Sequence, residues 1–227
     1  MAGTPSGTIS LDSGSAADAT LIGSAEFTTT GVSSWNAGDF TMPAGGLMVV
    51  LLTGRDGTGV LVSNISIGGS VGTGYKLWAH ATNVDKNELW CRQVSSGANN
   101  VTITFNTNTA ATCWMVISVW YISGQTSDVP RDADATVTGS VTSVSLSTTG
   151  WGKSVTIYNW AGNSATSAEA WTGDAVTTDV AFNAVGGGTN HWSAAHNRNT
   201  SADLVARTVG VSWTTGTASF MAVATFK

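Results

Sequence analysis

The stretch TCWMVISVWYI, residues 112–122, decides the fold. It is apolar on both faces of a period-two pattern and rich in β-branched and aromatic residues, which marks a strand buried on both sides and placed mid-sheet. LMVVLLTG (47–54) has the same character. Around these two runs lie shorter alternating segments. GDFTMP (38–43), NISIGG (64–69), VTITFN (101–106), VTSVSLST (141–148), KSVTIYNWAG (153–162), VTTDVAF (176–182), RTVGVSW (207–213) and SFMAVATFK (219–227) all read as strands. Gly-, Ser-, Asn- and Asp-rich turns separate them, as in GRDGTG (54–59) and SSGANN (95–100). No helical periodicity competes. The pattern predicts one all-β domain, an antiparallel two-sheet sandwich with jelly-roll-like topology. The first 22 residues are Gly/Ser/Ala/Thr-rich and read as an N-terminal arm, with the sandwich over 23–227.

Composition narrows the function classes. Only 10% of the 227 residues are charged and the net charge is -5. The surface is therefore built largely from Ser, Thr, Asn and Gly, and it repels neighbouring molecules weakly, as suits a protein held in an assembly or outside the cell. Nine scattered Lys and Arg give no track for a nucleic acid backbone. No apolar run reaches the length of a membrane span, and the opening residues have neither the basic nor the apolar region of a secretory signal. Cys91 and Cys113 sit in apolar strands and read as two buried thiols.

Two stretches carry candidate contact residues. In KLWAHATNVDKNELWCRQV (76–94) a hairpin turning over Asn83 to Asn87 points Leu77, Ala79, Ala81, Leu89 and Cys91 to the core. Trp78, His80, Trp90 and Arg92 then share the other face, with His80 opposite Trp90 and Trp78 opposite Arg92. Aromatic and Arg side chains dominate contact surfaces, so this face fits subunit contact, glycan contact, or cover by another part of the chain. In NHWSAAHNR (190–198), alternation puts His191 and His196 on opposite faces, which excludes a two-histidine metal site on a regular strand. Trp192, His196 and Arg198 form a second candidate patch there; the plainer alternative is a tryptophan covering the sheet. Asp128, Asp132 and Asp134 cluster in one predicted loop without calcium-loop spacing. GGSVGTG (68–74) is Gly-rich but lacks the Lys-Ser/Thr ending of a phosphate loop, and reads as a flexible turn. Three glutamates, Glu26, Glu88 and Glu169, stand far apart in sequence, and no nucleophile or zinc-hydrolase motif is present. No catalytic residue, metal ligand or cofactor site is expected.

Five segments in order, ISIGG (65–69), ELW (88–90), SSGANNVTITF (95–105), YISGQTSDVP (121–130) and VSWTTGTASFMAVATF (211–226), carry a family resemblance. The series resembles a β-sandwich domain of poorly defined function, found in large secreted bacterial proteins and in short phage-encoded virion proteins. The likeness covers roughly residues 40 to 227. Cys91 stands where family members often carry an aromatic residue, and neither a signal nor a large host protein accompanies the domain, which tilts the likeness toward the phage type. The resemblance implies a decoration, spike or fibre protein on a particle surface, contacting other virion proteins as a homo-oligomer, with a trimer as one form. The alternative is an extracellular carbohydrate-binding module that attaches to host-surface or matrix glycans.

Overall fold

A computed structural model describes residues 17–55, 62–76, 85–109, 113–150, 152–162, 170–173, 176–184, 191–200 and 205–227. Among them every regular element is a strand. In chain order these are β1 (Ala19–Phe27), β2 (Ser34–Met42), β3 (Gly46–Arg55), β4 (Val62–Ile67), β5 (Ser70–Val71), β6 (Thr73–Lys76), β7 (Asp85–Val94) and β8 (Gly97–Phe105). They continue as β9 (Trp114–Ile122), β10 (Asp132–Gly150), β11 (Ser154–Gly162), β12 (Ala170–Gly173), β13 (Thr177–Ala184), β14 (His191–Asn199) and β15 (Val205–Phe226).

The strands pair antiparallel in three ladders. Sheet I has the order β1-β9-β3-β7-β6, sheet II the order β10-β15-β11-β14-β13 with β12 also on β15, and sheet III the order β2-β8-β4-β5. The protein is an all-β sandwich, with sheet I in its middle. On β3, Leu47, Val49 and Leu51 face sheet II, while Met48, Val50 and Leu52 face sheet III. On β9, Trp114, Val116, Trp120 and Ile122 alternate in the same way with Met115, Ile117 and Val119. This double burial is why residues 114–122 are apolar on both faces.

Sheet II has a second covering of its own. Phe220, Ala222, Ala224 and Phe226 of β15 face sheet I, and Met221 and Val223 face away from it. That outer side, with Tyr158 and Trp160 of β11, packs against Val144 and Leu146 of β10 and Val209, Val211 and Trp213 of β15 itself. One strand can supply both sides of this cluster only by bending back, and the β10–β15 register breaks twice between Thr138 and Ser143. Trp160 and Trp213 meet at 4.9 Å between ring centroids, and Trp171 of β12 donates its indole N–H to Ser193 Oγ at 3.1 Å. Four layers therefore enclose three cores. The sandwich agrees with the sequence-based expectation, while the two outer layers go beyond it.

Three local departures follow from pairing that sequence periodicity does not encode. RTVGVSW and SFMAVATFK belong to one strand, β15, joined through the bend. The GGSVGTG stretch is a turn at Gly68–Gly69 followed by β5 and the start of β6. Residues 19–22, within the segment read as an arm, are already strand, because β1 lies along β9 at the edge of sheet I, from Ala19 opposite Ile122 to Phe27 opposite Met115.

Candidate functional site

The first candidate patch is divided by the structure. Trp78 and His80 lie outside the described residues. Trp90 is 7% exposed and packs with Trp35, Ile65 and Val101 in the core between sheets I and III. The face assignment by alternation is right, with Leu89 and Cys91 turned to sheet II. At Trp90 that face is covered by sheet III, which is the alternative of cover by another part of the chain. The expected hairpin register is also corrected. Thr73 pairs with Cys91 and Lys76 with Glu88, so Gly74 and not His80 stands opposite Trp90. A Cβ on Gly74 would come within 2.6 Å of the Trp90 ring, so the indole lies where only glycine gives it room. Its N–H donates to Glu88 Oε2 at 2.9 Å, and Glu88 is itself only 4% exposed.

Arg92 has another role. Its Nη1 donates to the backbone carbonyls of Ile67 and Gly68, the latter at 3.1 Å, which ties the β4–β5 turn of sheet III to β7 of sheet I. Beside it opens a cleft of about 290 Å³ lined by Gly68, Arg92, Gln93, Val94, Ser95 and Asn99. Asn99 is fixed there by donating to the carbonyls of Ser95 and Gly97 at 3.0 and 2.9 Å. The cleft offers guanidinium, amide and hydroxyl groups within one small volume.

The second patch is the boundary between sheets I and II. Trp192 is 1% exposed and belongs to their shared core; its N–H donates to Glu26 Oε1 of β1 at 3.3 Å. His196 sits edge-on to Trp120 at 6.1 Å and its Nδ1 lies 2.7 Å from Asp179 Oδ2 of β13. The hydrogen bond to Asp179 raises the His196 pKa above its ordinary value, against the effect of burial, and the charges of Asp179 and Asp18 add to the rise. Arg198 donates to Asp18 Oδ2 at 3.3 Å on the exposed margin. His191 is on the opposite face, and burial lowers its pKa. A histidine oriented by a carboxylate supplies two of the three members of a hydrolytic triad, yet among the described residues no hydroxyl or thiol hydrogen-bonds its other nitrogen. Trp192, His196 and Arg198 thus act as a clamp that joins β14 to β1, β9 and β13.

The remaining candidates separate. Asp132 and Asp134 belong to β10, and Asp134 Oδ1 accepts the Ala135 N–H at 2.7 Å, while Asp128 stays in the preceding loop. Among the described residues no three His, Cys, Asp or Glu side chains come together as a metal site. Cys91 and Cys113 are reduced thiols buried in different cores; burial, with the charge of Asp128 adding, pushes the Cys91 thiol far up. One polar feature is missed by sequence reasoning. Asn159 Nδ2 of β11 donates to Thr53 Oγ1 of β3 at 2.9 Å across the central core, and fully buried Asn87 pairs with Thr53 in the ladder. Isolated polar letters inside apolar strands, as in IYNWAG, are the only sequence signal for it. Neither the family models nor the curated proteins searched give a match to this chain.

Proposed function

We propose that this chain is a structural protein on the surface of a phage or phage-like particle, a decoration, spike or fibre component that works through assembly contacts. The observation that carries the reading is where the aromatic residues go. Trp35, Trp90, Trp114, Trp120, Trp160, Trp192 and Trp213 all point into the three cores, and the exposed large apolar side chains among the described residues are Val71 and Val129. Among the described residues the exposed side chains are largely hydroxyl- and amide-bearing, and the chain carries little charge, which suits close packing against neighbouring subunits. The resemblance to short virion proteins supports the same reading. Quantitative mass spectrometry of purified particles tests it. A fixed ratio to the major capsid or tail protein is expected; absence from the particles overturns it.

A glycan-binding role is favoured by one observation, the polar cleft at Arg92, Ser95 and Asn99. Sugar stacking on Trp90 or Trp192 is not available to it, since both rings are buried. Binding to immobilised host polysaccharide that Arg92→Ala abolishes would support this second role; binding unchanged by that substitution would exclude the cleft.

A further inference from the structure

We infer that the outer edge of β10 is a self-association edge, where a second copy of this chain pairs strand to strand about a two-fold axis. The inference rests on the assembly reading above and gives it a surface and a partner.

β10 is the end strand of sheet II, and among the described residues no strand pairs with its outer edge. Such an edge presents a row of unpaired backbone donors and acceptors, and monomeric proteins blunt it with charge, proline, bulges or shortness. Five other described edges carry such features. β1 has a register shift at Leu21/Gly23 and carries Glu26. β2 has one at Asn36/Gly38 and carries Asp39. β13 shifts twice and carries Asp179. β5 has two residues, and β6 carries Lys76.

β10 differs. Beyond Asp134 it has neither a charged residue nor a proline through Gly150. Past the bend, Ser143–Gly150 runs opposite Val205–Ser212 with no register break. Its side chains alternate cleanly, Val144 and Leu146 inward to the outer core, Ser143, Ser145 and Ser147 outward. On the paired side, Ser147 Oγ and Thr208 Oγ1 already share a hydrogen bond of 2.9 Å. The incoming strand that continues this surface is short-chained, hydroxyl-bearing and uncharged. β10 of a second copy has that chemistry, and antiparallel pairing of one edge with itself satisfies both copies equally.

Sedimentation of the purified chain, with Ser145→Lys/Ser147→Lys beside it, tests the inference. Both serines are exposed, so the double variant should keep its thermal unfolding profile, while like charges face each other along the shared edge. The wild type is expected to dimerise reversibly, and the variant to raise the dissociation constant by about tenfold or more, partly recovered in high salt. Ser145→Thr/Ser147→Thr should associate as the wild type does. A wild type that stays monomeric at its highest soluble concentration, or a lysine variant that associates unchanged, overturns the edge pairing. Particle mass spectrometry is scored separately: a monomeric chain still found in particles ends the inference and leaves the assembly reading standing.

Discussion

Trp90 and Trp192 are alike in residue type, in burial and in giving the indole N–H to a glutamate, yet they differ in where that glutamate lies. Glu88 is two residues before Trp90 on β7, on the same face and under the same sheet. Glu26 comes from β1, in another sheet, and reaches Trp192 from an exposed position. The first pair lies wholly inside a layer boundary. The second closes one from its rim. A carboxylate held under a sheet is away from water and depends on its protein partners, whereas one at the rim keeps its hydration. The same contact therefore carries different energetic weight at the two sites.

Four measurements would break or sharpen this contrast. Trp90→Ala should have the largest effect, a loss of about 3–5 kcal/mol in chemical denaturation, because it opens a cavity between sheets I and III. Glu88→Ala should follow at about 1–3 kcal/mol, since the buried indole N–H loses its acceptor. Glu26→Ala should cost below about 1 kcal/mol, because water can replace the exposed carboxylate. Equal losses for the two glutamate variants would remove the distinction between interior and rim.

The fourth concerns the rim alone and has the smallest effect. The His196 pKa is raised in the folded state, chiefly by Asp179, so the stabilisation is fully present below the unfolded value of about 6.5 and fades as pH climbs through the folded value. Denaturation midpoints of the wild type should fall relative to Asp179→Asn as pH rises above about 6.5. Parallel curves for the two proteins would show that Asp179 does not hold the His196 charge.

The contrast also shows what the sequence encodes. Period-two patterning identified β3 and β9 as strands buried on both sides, and it sorted Leu89 and Cys91 from Trp90 correctly. It could not name what buries each side. Trp90 looks the same whether its face meets sugar, subunit or sheet III, because all three demand a large amphipathic ring. In the β6–β7 pairing Gly74 yields space to Trp90, a contact between residues far enough apart that spacing does not encode it. β1 was hidden for a different reason. Its Leu21, Ile22 and Phe27 are spaced among Gly, Ser, Ala and Glu without clean alternation, and it lies as a strand along the edge that β9 offers. At the second patch, alternation placed Trp192 and His196 on one face, but Asp179 and Asp18 join them through tertiary pairing alone.

The order of the layers along the chain has a consequence for synthesis. Among the described residues, sheets I and III are drawn from strands up to Ile122 and sheet II from strands from Asp132 onward. As the chain leaves the ribosome, Ala19 can find Ile122 and close sheet I while β11, β14 and β15 do not yet exist. Leu47, Val49, Leu51, Leu89 and Trp120 then face water until those strands arrive, and Asp132 waits in turn for Thr225. The nascent half-sandwich carries a broad apolar wall through that interval, the kind of surface that chaperones hold and that drives aggregation when synthesis outruns pairing.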